Sequence, residues 1–145
     1  MGRCWRKAAR PYSVVVLAVA VLIGAGSAIA ATTRTSAVPA KLVGKWTRKV
    51  TSADVSRAGA YGFPDGSVCT LTVKKSGATN LTCTAVGEED GTIVPAGVNR
   101  VHIRLGVPTP DVYRWRVSGR LLTFTKVKDT VADREAAMEG VWKRK

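Results

Sequence analysis

The sequence predicts an all-β domain of about eight short antiparallel strands accompanied by two short helices. Three observations carry that expectation. Apolar and polar residues alternate with period two through most of the region after residue 41. Turn signals at Lys75-Ser76-Gly77 and Ser118-Gly119 divide alternating runs into hairpins. The same region opens on LVGKWTRK (42–49) and closes on MEGVWKRK (138–145), with Gly44/Gly140, Trp46/Trp142, Arg48/Arg144 and Lys49/Lys145 identical and Leu42 matched in character by Met138.

Residues 1–30 stand apart from the fold. MGRCWRKAAR carries Arg3, Arg6, Lys7 and Arg10 and no acid; SVVVLAVAVLIG is apolar; Ala28-Ile29-Ala30 precedes Ala31. A charged n-region, a short apolar core and a small-residue site make a secretory signal cleaved near Ala30-Ala31. The alternative is an uncleaved membrane anchor, for which residues 14–31 are at the short end and interrupted by Gly24 and Gly26. Residues 31–40 read as a flexible leader and residues 41–145 as one small domain. Cys4 leaves with the signal, and Cys69 with Cys83 remain as an even pair, which in an exported chain reads as a disulfide. The net charge of +13 falls to about +9 on cleavage, a balance that favours anionic surfaces such as phospholipid or cell-wall polymer; the alternative reading is solubility.

The elements follow in order. Residues 42–50 form the first strand. Residues 52–60 form a helix capped by Ser52 and stopped by Gly59. YGFPDG turns the chain into strands over 68–74 and 79–86. GEEDG (87–91) breaks the pattern, a short strand covers 92–94, and a clear one covers 98–105. VPTPD breaks again before strands over 113–117 and 120–127. VADREAAM (131–138) is the second helix, begun by Thr130 and ended by Gly140, and 141–145 is the last strand.

Register is testable from parity. A three-residue loop at Lys75-Ser76-Gly77, with Gly77 left-handed, sets Cys69 opposite Cys83 and Leu71 opposite Leu81, so that all four share the core face. A two-residue loop turns one strand's apolar face outward. The pair 69/83 then occupies a non-hydrogen-bonded position, where side chains approach most closely and a disulfide fits. A turn at Ser118-Gly119 sets Trp115 opposite Leu122 and Tyr113 opposite Phe124. Pairing of 98–105 with 113–117 gathers Arg100, Arg104, Arg114, Arg116 and His102 on one outer face.

These residues resemble a family. GKW on the first strand is similar to the Gly-x-Trp of lipocalin-like (calycin-type) β-barrels. The tail, YRWRVSGRLLTFTKVKDTVADREAAMEGVWKRK, resembles the closing segment of small secreted lipocalin-like proteins of actinobacteria, a mostly uncharacterised group. The matching positions are Tyr113, Trp115, Gly119, Leu122-Thr123, Thr125, Asp129, Arg134, Gly140, Trp142 and Arg144. Many such proteins carry a cysteine shortly after that Asp; here Val131 stands there, so the disulfide framework departs from theirs. The resemblance implies a secreted, eight-stranded, up-and-down barrel whose first and last strands are neighbours. It also implies an arginine from late in the chain packed across Trp46, for which Arg134 and Arg144 are the candidates. Barrel closure then falls to Gly44, Trp46, Arg134, Gly140, Trp142 and Arg144, and the two shared phrases become its seam strands.

No enzyme is expected. His102, the lone histidine, has no acidic neighbour in its strand, and phosphate-loop, nucleophile-elbow and zinc patterns are missing from the sequence. GEEDG reads as a solvated acidic turn, without the spaced ligands of a calcium loop. The triplet Asn80-Leu81-Thr82 fits a glycosylation site but falls within a strand. Neither cofactor, metal nor nucleic acid is called for, and the sequence is silent on oligomeric state. Two functions remain. One is a small binding protein holding an apolar ligand inside the barrel, with Leu71, Leu81, Val101, Ile103, Tyr113, Trp115, Leu122 and Phe124 as candidate wall; the same side chains filling the core is the alternative. The other is an envelope-interaction protein that meets anionic polymer or lipid through Arg100, Arg104, Arg114 and Arg116.

Overall fold

The computed structural model describes residues 37–109 and 111–145, so the expected signal segment lies outside the described residues. Eight antiparallel strands close into one up-and-down barrel in chain order: β1 (Gly44–Lys49), β2 (Val68–Val73), β3 (Ala78–Cys83), β4 (Gly87–Pro95), β5 (Arg100–Leu105), β6 (Asp111–Ser118), β7 (Leu121–Lys128) and β8 (Gly140–Arg144). Two short helices, α1 (Ser52–Ala58) and α2 (Ala132–Met138), cover one end of the barrel. Of the expected leader, Val38 packs against the core and Leu42 N–H bonds Pro39 O at 2.8 Å. No described helix is long and apolar enough to cross a membrane.

Period two drives the architecture. Leu71, Val73, Leu81, Val101, Ile103, Leu105, Tyr113, Leu122 and Phe124 point inward and are buried, while their sequence neighbours face out. Strands β2 and β3 pair with Cys69 opposite Cys83 and Leu71 opposite Leu81. The hairpin closes through Lys74 N–H to Ala78 O at 2.9 Å, with Gly77 at φ 89°. Cys69 and Cys83 form a disulfide across that pair, their Cα atoms 4.1 Å apart.

Strands β1 and β8 meet antiparallel, with Trp46 opposite Arg144 and Thr47 opposite Lys143. One further step along each strand brings Arg48 towards Trp142. The repeated phrase therefore crosses itself: Arg144 lies over the Trp46 ring at 4.6 Å and Arg48 over the Trp142 ring at 5.8 Å. The indoles are anchored alike, Trp46 Nε1–H to Leu42 O and Trp142 Nε1–H to Met138 O, each at 2.9 Å. Each glycine makes room for the opposite arginine. Gly140 sits at φ 130°, and a Cβ there would lie 2.9 Å from the Arg48 guanidinium; Gly44 sits at φ 139° against Arg144.

Several expectations are corrected. GEEDG is not a turn but the first half of β4, and the reversal falls at residues 84–86, between the paired Cys83 and Gly87. The turn between β6 and β7 is Gly119-Arg120 rather than Ser118-Gly119. Tyr113 therefore opposes Lys126, Trp115 opposes Phe124 and Val117 opposes Leu122, and an irregularity between Val112 and Tyr113 sets Val112 opposite Lys128. A slip of two residues keeps every side chain on its own face, so alternation alone does not separate the two registers. Tyr113 still meets Phe124, edge to face, at 6.1 Å between centroids. The α1 cap is Thr51 instead of Ser52, and Thr51 shares a capping box with Asp54. For α2 the cap is Val131 instead of Thr130, with Asp129 Oδ1 accepting the Val131 N–H at 2.8 Å. Gly140 begins β8 rather than ending the helix.

Candidate functional site

Strand β4 forms part of a cleft at this end of the barrel. Its inner face reads Gly87, Glu89, Gly91, Ile93, because Glu89 pairs with inward-facing Leu81 and Ile93 with Ile103. Gly87 leaves the wall bare, with nothing within 4 Å of where its Cβ would stand. Gly91 is required by close approach: a Cβ there would lie 1.9 Å from Arg104 O and 2.9 Å from Leu105 Cδ2. The cleft opens between the β3–β4 turn, the end of β5 and α2, with a volume of about 320 Å³. Its lining is mostly apolar, from Phe63, Leu81, Cys83, Val86, Leu105, Val107, Val131 and Ala137, with Gly87, Glu89, Gly106, Asp133 and Arg134 completing it. That volume is at the lower end of small-ligand sites, which run from about 300 to 1,000 Å³.

A buried ionic cluster holds α2 in place as the fourth wall. Arg134, 5% exposed, donates through Nη1 to Leu105 O at 2.9 Å. It pairs with Asp111, and its Nη2 and Nε reach Asp129 at 3.4 Å. Tyr113 donates its hydroxyl to Asp129. Burial lowers the Arg134 pKa and the charge of Glu89 opposes that shift. Burial, and then the hydrogen bond to Asp129, push the Tyr113 phenol far above its ordinary value near 10. The phenol therefore stays a donor.

A second cluster ties α1 to the seam. Arg48 Nη2 donates to Asp54 Oδ2 at 2.6 Å, and its Nη1 reaches Ala137 O at 3.3 Å and also Glu139 O. Burial pulls the Arg48 pKa down while Asp54 opposes. For Asp54 burial acts upward, but hydrogen bonds from Thr51 and the charge of Arg48 outweigh it and hold the carboxyl below its ordinary range. Arg57 completes this cluster, to Asp54 at 2.9 Å and Glu139 at 3.3 Å.

The sequence-derived residues are thus distributed among three places. Arg144, not Arg134, lies over Trp46; Arg134 belongs to the cluster beneath the cleft. Of the expected wall, Leu71, Val101, Ile103, Tyr113, Leu122 and Phe124 are packed in the core, Trp115 is half-buried, and only Leu81 lines the cleft. Arg100, Arg104, Arg114 and Arg116 are exposed on the outer face of β5 and β6, with Arg100 directly opposite Arg114. Asp111 was not given a role by sequence reasoning, Arg48 entered only as a position of the repeated phrase, and Glu89 with Gly87 and Gly91 only as part of a solvated acidic turn. The signal for Glu89 was present in the Gly-Glu-Glu-Asp-Gly alternation, which puts Glu88 and Asp90 outside. There they accept from Asn80 Nδ2 at 2.6 and 3.0 Å. No group of His, Cys, Asp and Glu among the described residues is arranged to hold a metal.

No family model matches the chain, and neither curated proteins nor solved structures provide a match. The closed antiparallel barrel with two short helices is compatible with a lipocalin-like fold.

Proposed function

We propose that the protein is a secreted, non-enzymatic binding protein that holds a small apolar ligand in the cleft at the helical end of its barrel. The observation that carries the reading is the cleft itself, about 320 Å³ of mostly apolar wall beside a fully packed core. The barrel supplies rigidity: the ionic cluster of Arg134 fixes α2, and the disulfide fixes the β2–β3 edge. Secretion is supported by the charged, apolar and small-residue order of residues 1–31 and by the Cys69–Cys83 bridge. Native mass spectrometry of the mature protein purified from a secreting host tests the reading. A bound species of small-molecule mass, lost on mild activation, is the expected result. Bare protein alone, together with no binding of any small apolar compound, overturns it.

A second reading is favoured by one observation. Arg100 and Arg114 face each other across β5 and β6, an arrangement that costs stability through like-charge repulsion. Among the described residues neither they nor Arg104 and Arg116 form an ion pair within 4.0 Å. That face fits an anionic envelope polymer or lipid surface. Serine at all four positions should weaken retention on anionic vesicles at low salt; unchanged retention sinks the idea.

A further inference from the structure

The charge inside the cleft is opposite to that of the molecule. The chain carries +13, yet the charged side chains lining the cleft are Glu89, Asp133 and Arg134. Arg134 is the one cation among them, and every nitrogen of its guanidinium is already engaged by Leu105 O, Asp111 or Asp129. Two carboxylates against one guanidinium leave the floor with a surplus negative charge before Glu89 is counted. Glu89 has no ion pair within 4.0 Å and accepts no hydrogen bond among the described residues. Its carboxylate rests over Gly106, where a Cβ would come within 3.2 Å of it, so a side chain at 106 would displace it. Lys126 and Arg57, the nearby cations of the α2 end, are occupied by Glu135, Asp54 and Glu139.

Glu89 and Asp133 are both solvent-exposed and without an ion pair among the described residues, so this mostly apolar cleft carries carboxylate at its rim, which repels anions and gives a neutral guest nothing to answer it with. A guest with an apolar body and a cationic head satisfies both walls. We propose that the cleft takes a small cationic amphiphile, an apolar body bearing a protonated amine, with Glu89 as its counter-charge. The inference rests on the binding reading above and narrows it to a ligand class. Fatty acids and other carboxylates are disfavoured by the same charge, since the contacts of Arg134 to Leu105 O, Asp111 and Asp129 leave at most one of its five N–H groups to meet them.

Three probes with similar aromatic bodies separate the possibilities at pH 7: 2-phenylethylammonium, 2-phenylethanol and 3-phenylpropanoate. Each is titrated into the full mature protein and followed by amide chemical shifts at Gly87, Leu105 and Ala137. The expected result is saturable binding in the cleft, with the ammonium at least about tenfold tighter than the alcohol at low salt and the carboxylate weakest. The preference should shrink in high salt and disappear in Glu89→Gln, whose thermal unfolding is measured alongside. Equal or tighter binding of the alcohol in wild type overturns the amine assignment while leaving an apolar-ligand protein in place. An ammonium preference that survives Glu89→Gln also overturns it. Failure of all three probes to bind overturns the assignment and the binding reading together. The wild-type series decides the matter by itself if the variant does not fold.

Discussion

Arg48 and Arg144 occupy equivalent places in the repeated phrase, yet their surroundings make them unequal. Arg144 is exposed and, besides its stacking on Trp46, donates to Lys41 O at 3.1 Å and Val43 O at 3.3 Å. Arg48 is buried, pairs with Asp54, and satisfies the carbonyls of Ala137 and Glu139 at the end of α2. Removing Arg144 loses a cation–π contact and rim hydrogen bonds, about 1 kcal/mol. Removing Arg48 takes one partner from Asp54, which keeps Arg57 and Thr51, and leaves the Ala137 and Glu139 carbonyls without their donor, a loss of about 2–4 kcal/mol. Urea unfolding of Arg48→Ala and Arg144→Ala should therefore differ by several-fold in effect, and equal losses would contradict the crossed assignment. Tyr113 makes a second prediction. Its folded pKa lies above its unfolded value near 10, so the folded state keeps a proton that the unfolded chain releases. The contribution is whole below pH 10 and is lost as pH rises beyond it. Stability of Tyr113→Phe should fall less steeply than that of wild type between pH 9.5 and 11 by roughly the tyrosine's share; parallel curves would show that the phenol does not carry it.

At the scale of elements, alternation revealed more than turn chemistry did. The β2–β3 hairpin was legible because an odd loop puts Cys69, Cys83, Leu71 and Leu81 on one face and left-handed Gly77 fixes where that loop lies. The β6–β7 register was not, because moving the turn by one residue shifts pairing by two and leaves the faces unchanged. Strand β4 was hidden by composition: glycines and acids are depleted from strands, and GEEDG carries nothing else. Its glycines have physical roles, since Gly87 leaves bare wall beside Glu89 in the cleft and Gly91 admits the close Arg104 carbonyl. The cleft could not be foreseen from the expected wall residues, most of which are consumed by the core of so narrow a barrel. The disulfide belongs to this scale too. It closes a loop of 14 residues in sequence separation, which corresponds to about 3 kcal/mol by chain entropy. Reductant should lower the melting temperature by roughly 10–20 °C. A melt unchanged by reductant would show that the bridge contributes nothing.

For the whole molecule, the repeated phrase is a device of closure. Strand β8 pairs with both β7 and β1, and its Trp142 is fully buried. Without it the sheet opens, two edges lose their partners, and Arg48 loses the Trp142 ring and the Glu139 carbonyl. Deleting residues 138–145 should abolish cooperative unfolding altogether, as seen by near-ultraviolet circular dichroism. A truncated chain with a native spectrum and a sharp melt would mean that the seam is ornamental to the fold. The functional account depends on that closure, because α2, which walls the cleft, is held between β7 and β8 in sequence and by Arg48 and Arg134 in space. Ala137 lines the cleft and is 2% exposed, so a larger side chain there occupies the space a ligand would take. Amide-shift titration of wild type and Ala137→Phe with 2-phenylethanol and 2-phenylethylammonium in parallel tests this most directly, a response to either counting as binding. The account predicts saturable shifts confined to the cleft in wild type and none in Ala137→Phe. Shifts absent from wild type, or equal in the two proteins, would contradict it.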